Sequence, residues 1–247
     1  MRPIEAEARF VAAARARAPR AWVDLDPADC QQMIDRDQAF ALRLLGTAAP
    51  APMTRIWINR PCLVASSSQA RHPCFATAAN AASQHGWSVA IRKSSGTAVV
   101  HRPGVVNVSL FLPGSDGIDI RAGYEALLGL LIDCCADLGV TADMGWVPGA
   151  ICNGRYNLRH GRRKLAGTAA FVKANGAAHI QVAHASITVT GDLDRDLAAI
   201  GAFDHALGRT EPYIADEHIS LEQAQRAEMK SILALANQLD ARDLRRA

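Results

Sequence analysis

Apolar residues recur along the 247-residue chain with two periods, one near 3.6 and one near 2, and the two alternate. Residues 4–18 carry helix formers and stop before Pro19, which predicts a peripheral N-terminal helix. Met33, Phe40 and Leu44, behind an acidic start at Asp26 and Asp29, predict a second helix over 29–45. After an Ala/Pro-rich connector at 46–53, residues 55–59 alternate polar and apolar, and 62–65 continue apolar beyond Pro61. Two short adjoining strands follow from that pattern. The alanine-rich stretch 70–85, closed by Gly86, predicts a helix, and 87–92 another strand. Val99 and the β-branched run 105–112 predict a central, well-buried strand. Ile118, Ala122, Leu127, Leu131 and Leu138 share one side of a helix over 118–138 that Gly139 stops. Turn signals at Pro148-Gly149 and Asn153-Gly154 lead into a β-hairpin. It has a strand from Tyr156 to Arg159, a tight turn near Gly161 and a return run ending at Val172. A strand over 179–190, a helix over 193–207 ended by Gly208 and a terminal helix over 218–244, with Leu221, Ile232 and Leu239 apolar, complete the pattern. Hairpins with inserted helices and no internal repeat predict an α+β fold with a mixed, largely antiparallel sheet flanked by helices. One domain is expected over 1–247, with an N-terminal helical extension (1–50) and a C-terminal helix (218–247).

Composition narrows this. A hydrophobic content of 49% supports a substantial core, and a formal charge of +3 is too small to point to nucleic acid. The local cluster Arg159, His160, Arg162, Arg163 and Lys164 could still attract a phosphate or an acidic partner. No apolar run reaches bilayer length, so no membrane span is expected. Six cysteines without CxxC spacing read as reduced thiols in a cytoplasmic protein, with Cys134 and Cys135 as small buried hydrophobes. The Ala/Arg-rich opening is not read as a transit peptide, since it carries Glu5 and Glu7 and no serine.

Two stretches carry candidate chemistry. Within 145–173 sit Cys152 and Lys164, the latter followed by Leu165, Ala166 and Gly167. A lysine hemmed in by small and apolar residues meets an anion or a carbonyl oxygen as a point-charge donor, or else guards a hairpin edge. Here the expectation is an ammonium projecting into an enclosed slot opposite the second stretch, 92–112. There Ser94, Ser95, Gly96 and Thr97 form a bend after Arg92 and Lys93. Small residues allow close approach of a ligand, the N–H groups of such a bend can form an anion nest, and Arg92 adds a planar fork. An ordinary hairpin turn is the alternative. Asn107, polar within a buried strand, is either bonded in the core or aimed at a ligand, and His184, between two alanines, reads as a hydrogen-bonded structural residue.

Four segments in order, Arg92 to His101, Pro103 to Leu110, Gly154 to Leu158 with Gly161 to Ala169 and its Lys164-Leu165-Ala166-Gly167-Thr168 run, and His184-Ala185-Ser186-Ile187, resemble the biotin/lipoate A/B protein ligase family. The likeness is to its lipoate-protein ligase A and octanoyltransferase branch and spans roughly residues 55–208. It implies the fold of biotin protein ligases and class II aminoacyl-tRNA synthetases. Lys164 would then be the catalytic lysine, holding acyl carbonyl and α-phosphate oxygens. Arg92, Ser94, Ser95, Gly96, Thr97, His101, Asn107, Gly167, Thr168 and His184 would line the acyl or adenylate pocket, and Asn157 would lie near nucleotide and metal. Ser95 and Thr97 stand where many members have glycine, Arg102 replaces an acidic neighbour of His101, and Ala170 stands where many have Gln. The favoured implied activity is an ATP-dependent lipoate or octanoate ligase using Mg2+, matched by the SGTAV and HAS segments. The alternative is an octanoyltransferase taking the acyl group from acyl carrier protein through a Cys152 thioester, whose reactive form a nearby ammonium would favour. A non-catalytic acyl-binding partner is a third implication. The acceptor would be a lipoyl domain, as in an E2 subunit or glycine cleavage H protein, with a helper ligase subunit as a further partner.

Overall fold

Two sheets organise the computed structural model, which describes residues 3–25 and 29–243. The elements run α1 Pro3–Arg17, β1 Ala21–Asp24, α2 Cys30–Leu45, β2 Met53–Ile58, β3 Cys62–Ser66, α3 Ser67–Ala70, α4 Phe75–Gln84, β4 Ser88–Arg92, β5 Val99–His101 and β6 Val105–Gly114. They continue α5 Ile120–Asp137, β7 Asp143–Gly145, β8 Asn157–His160, β9 Arg163–Asn175, β10 Ala178–Thr188, α6 Leu193–Ala206 and α7 Leu221–Asp243. The larger sheet has the order β1-β2-β6-β10-β9-β8-β7 and the smaller β4-β3-β5. Among the strands named here, only β1–β2 and β3–β4 pair in parallel. The architecture is therefore α+β with a mixed, mostly antiparallel main sheet flanked by helices.

Local chemistry explains most boundaries. Asp29 caps α2 by accepting from the Gln31 N–H at 2.9 Å, whereas Asp26 lies outside the described residues. Gly86, Gly139 and Gly208 adopt positive φ just past α4, α5 and α6, as glycine stops do. The hairpin turn at Gly161 has φ 58°.

Several expectations are corrected. The N-terminal helix is not peripheral: Phe10 and Ala14 of α1 are fully buried in the main core. Nor is 1–50 a purely helical extension, because β1 adds a parallel strand to the main sheet. The stretch 70–85 is not one helix. His72 and Pro73 separate α3 from α4, since proline lacks an N–H and disfavours helical backbone before it. β2 and β3 adjoin in sequence but belong to different sheets. The terminal helix starts at Leu221, not at 218, because Ser220 and Gln223 form a capping box, with bonds of 2.8 and 3.2 Å. Its expected end at Leu244 lies outside the described residues.

Arg55, the polar residue that opens the alternating run 55–59, is fully buried and pins α2 to the sheet. It lies against the Trp22 and Trp57 rings, pairs with Asp24 at 2.9 Å and Asp37 at 2.7 Å, and bonds the Met33 carbonyl. Ser109 completes this network by donating to Asp37 at 2.6 Å. Among the described residues, no helix is long and apolar enough to cross a membrane.

Candidate functional site

Between α2, the bend after β4 and the faces of β9 and β10 lies a cleft of about 580 Å³, its open mouth included. Ile34 of α2, Trp57, Val64, Val99 and Phe171 give it an apolar character, and Asp37 and Gln38 of α2 add polar atoms on that side. Arg92, Ser94, His101, Cys152, His184 and Ser186 bring polar atoms to its wall. A second cavity of about 560 Å³, its open mouth included, lies against α6, lined by aliphatic residues together with Lys164, Ser186, Thr188, Asp196 and His218. Both cavities reach Gly167 and Ser186, which face each other in the β9–β10 register and so form the threshold between them.

The bend is built around Arg92. Its guanidinium donates to Ser94 Oγ (3.1 Å) and to the carbonyls of Val64 (2.7 Å), Ser95 (2.9 Å) and Thr97 (2.8 Å). The carbonyls of the bend, rather than an open nest of N–H groups, thus face the arginine, and its fork is largely spent on holding that shape. Burial lowers the Arg92 pKa. Gly96 has φ 103°, and a Cβ there would stand 2.6 Å from Cys152 Sγ.

Ser94 Oγ accepts from Arg92 and is hydrogen-bonded to His184 Nε2 at 2.9 Å. His101 Nε2 lies 3.0 Å from Ser186 Oγ, which donates to Asn107 Oδ1 at 2.7 Å. The Asn107 Nδ2 is buried without a partner among the described residues. Burial, aided by Arg92, lowers His101 and His184 to about 3, so both rings are neutral at physiological pH.

Lys164 does not splay into solvent; it is 7% exposed. A β-bulge on β9 helps aim it: Leu158 pairs with Ala166 but Arg159 with Lys164, leaving Leu165 as the extra residue. Its ammonium donates to the carbonyls of Ile151 and, at 3.2 Å, Cys152. It borders the second cavity, so the slot expectation is corrected in one respect: the loop carrying Cys152 stands between Lys164 and the bend. Burial lowers Lys164 to about 8, with Cys152 opposing and Arg92 assisting. No carboxylate pairs with it among the described residues.

Cys152 has φ 44°, the left-handed region that costs a non-glycine residue of order 1–3 kcal/mol and that gathers at functional sites. Its N–H donates to Thr97 Oγ1 at 3.1 Å, and its sulfur lies 4.0 Å from Arg92 Nη2.

The fold therefore brings Arg92, Ser94, His101, Cys152, Gly167, Thr168 and His184 to one cleft and Lys164 to its border with the second cavity. Ser95, Gly96 and Thr97 shape the bend. Asn107 sits beneath, through Ser186. Asn157 lines neither cavity and instead ties the 153–154 turn, donating to the Gly154 carbonyl at 2.9 Å. Thr168 also donates to the Tyr156 carbonyl. The basic cluster at 159–164 does not converge, since Arg159 pairs with Asp143, His160 bonds the Thr141 carbonyl and Lys164 turns inward. Arg102 is a buried partner of Asp196 at 2.5 Å. Reading the residues one by one missed Ser186 and His218. Ser186 is the register partner of Gly167, and the capping box after His218 was the one signal that it lies outside the helix.

A buried ammonium bonded only to carbonyls can take an anionic oxygen, so Lys164 fits a nucleotide phosphate as well as an acyl oxyanion. No cluster of three or more His, Cys, Asp or Glu suited to a metal occurs among the described residues; magnesium held mainly by phosphates would not require one.

A family model described as the lipoyl protein ligase A/B catalytic domain matches residues 35–247. The octanoyl-[GcvH]:protein N-octanoyltransferase of Kyrpidia tusciae is 34% identical over 149 residues, which are 60% of this chain and 51% of that protein. Its counterpart in Geobacillus kaustophilus is 31% identical over 157 residues, 61% of this chain and 55% of that protein. The chain thus spans about half the length of these relatives. Among solved structures, lipoate-protein ligase A bound with ATP aligns with a TM-score of 0.61 at 18% identity, over 85% of this chain and 82% of that one. A T. acidophilum protein with bound lipoic acid aligns with a TM-score of 0.59 at 17% identity, over 87% and 94%. These likenesses establish the fold.

Proposed function

The chain belongs to the lipoyl protein ligase A/B catalytic-domain family, and from that premise we propose that it is an acyltransferase that moves an octanoyl-type group to a lysine of a lipoyl domain through a thioester on Cys152. The observation that carries this reading is the placement of Cys152: its sulfur borders the cleft while its backbone is held by Thr97 on one side and by Lys164 on the other. The names of the transferase relatives make octanoylated GcvH the first donor to try, with octanoyl acyl carrier protein as the second.

In the first half, the thiol sulfur attacks the acyl carbonyl. The C–S bond forms, the bond to the donor carrier breaks, and the departing donor atom takes the thiol proton. In the second half the acceptor lysine amine attacks the thioester, C–N forms, C–S breaks and sulfur regains a proton. Lys164 commits two of its three N–H donors to the Ile151 and Cys152 carbonyls. The third is left for the acyl oxygen as negative charge develops on it, an effect worth a few kcal/mol in a water-poor site. The acyl chain lies along β9 between Gly167 and Phe171, where burial stabilises it by about 0.8 kcal/mol per methylene.

The second reading is the ATP-dependent ligase, favoured by the unpaired, buried Lys164 ammonium. When bound, ATP would supply the activating phosphate, and Lys164 would hold its oxygen beside the acyl carbonyl.

Intact-protein mass after incubation with octanoylated GcvH or octanoyl acyl carrier protein, without ATP, separates the two. The transferase gains one octanoyl group, and Cys152→Ser gains none. Label that persists in Cys152→Ser sinks the thioester. Absence of label, together with pyrophosphate release from ATP and lipoate or octanoate, sinks it in favour of the ligase.

A further inference from the structure

We propose that His218 is a positioning residue for acyl transfer, holding the Ile151–Cys152 segment from the side opposite the cleft. This rests on the Cys152 thioester reading above.

The last β9–β10 register pair is Ala166 with Ile187, so at Lys164 the strand β10 has already departed. Its place beside Lys164 is taken by the segment that precedes α7. His218 bridges Lys164 in parallel, and the Ile219 N–H donates to the Lys164 carbonyl at 3.0 Å. From there the imidazole reaches back to the loop that carries Cys152. Its Nε2 lies 3.0 Å from the Ile151 nitrogen, and its Nδ1 lies 2.9 Å from the Ile214 carbonyl oxygen. A backbone N–H only donates and a carbonyl only accepts, so Nε2 is the acceptor and the proton sits on Nδ1. One neutral tautomer satisfies both bonds, and burial lowers the ring to about 4.

The same loop is stitched a second time, by the Ile214 N–H donating to the Gly149 carbonyl at 3.1 Å. Every polar backbone group of residues 151 and 152 then has a partner. The Ile151 N–H goes to His218, the Ile151 carbonyl to Lys164, the Cys152 N–H to Thr97 and the Cys152 carbonyl to Lys164. A left-handed cysteine persists only where its surroundings over-determine it. His218 supplies the one of these holds that comes from outside the two motif-bearing stretches. Without it the Ile151 N–H loses its acceptor, and the 150–151 peptide is free to turn, loosening the start of the next peptide, whose Ile151 oxygen receives the Lys164 ammonium.

The experiment is single-turnover acylation of Cys152 in the full chain by an octanoylated carrier, followed by mass at several donor concentrations, for wild type, His218→Leu and His218→Gln. Thermal unfolding is measured in parallel, and hydrogen exchange is followed at residues 149–152. Leucine keeps the bulk without the acceptor, whereas glutamine returns a carbonyl oxygen able to accept from Ile151. His218→Leu is expected to slow the limiting acylation rate about 10–30-fold, the size set by one lost buried acceptor. Half-saturation by donor should stay within about twofold, and exchange at 149–152 should rise. His218→Gln should recover at least a third of the wild-type rate. A limiting rate unchanged in His218→Leu, a change confined to half-saturation, or glutamine no better than leucine overturns the assignment. If His218→Leu does not fold, the glutamine variant alone decides: recovery of the rate supports the role, and failure of a folded glutamine variant to acylate overturns it. Wild type that never labels, or that labels as well in Cys152→Ser, takes down the thioester and this inference together. Labelling that requires Cys152 but ignores His218 removes this inference alone.

Discussion

Replacing Lys164 by methionine should stabilise the fold at neutral pH relative to high pH while disabling transfer. The ammonium is 7% exposed, its named partners are two carbonyls, and burial brings its pKa from 10.5 to about 8. That gap corresponds to about 3 kcal/mol by which the fold disfavours the charged form. Because the folded value lies below the unfolded one, the unfolded chain retains a proton between pH 8 and 10.5 that the folded chain gives up. Wild-type stability therefore gains with rising pH in that window, at up to about 1.4 kcal/mol per pH unit. Below pH 8 the penalty is present in full. Urea unfolding of wild type and Lys164→Met, both on a Cys152→Ala background, isolates this group as the difference between the two curves from pH 7 to 10. The difference should climb in favour of wild type by about 2–3 kcal/mol. In the Cys152 enzyme, Lys164→Met should slow limiting acyl transfer about 10²–10³-fold, and wild-type transfer should decline above pH 8 as the ammonium is lost. A flat or falling difference curve would refute the claim that a buried, charged lysine is held at this site.

Gly96→Ala should cost about 1–2 kcal/mol from φ 103° alone, and its Cβ, 2.6 Å from Cys152 Sγ, should displace the sulfur. Melting temperature and the rate of iodoacetamide capture at Cys152 should both change; if neither moves, the contact is not there. Asp196→Ala leaves Arg102 buried without its carboxylate and should destabilise by about 3–5 kcal/mol in urea, whereas a loss under 1 kcal/mol would mark the pair as solvated. His101 and His184, with folded values near 3 against about 6.5 when unfolded, contribute stability that is complete above pH 6.5 and is lost as pH falls toward 3. Gln at either position should flatten that acid limb in unfolding curves, and an unchanged limb would contradict the neutral, buried rings.

Much of the fold was legible in the chain because its signals are local. Helical spacing in 29–45 and 118–138, glycine stops at 86, 139 and 208, and the turn at Gly161 each depend on a few neighbouring residues. What escaped were short segments whose strand character comes from a distant partner, such as β1 beside β2 and β7 beside β8. The capping box at Ser220 was equally local but was outweighed by the apolar spacing of the helix beyond it.

The sequence by itself determined the order of the longer elements and singled out the residues proposed to carry the chemistry, Lys164 and Cys152 foremost, through motifs continuous along the chain. Only the tertiary structure decided that these two flank one threshold at Gly167 and Ser186. It also turned the bend's carbonyls toward Arg92, set the Cys152 loop between Lys164 and the bend, and brought His218 from the far end of the chain to hold that loop. Periodicity and caps are set by neighbours within about one helical turn, whereas a strand register, a bulge and a partner more than sixty residues away are settled by packing the whole chain at once.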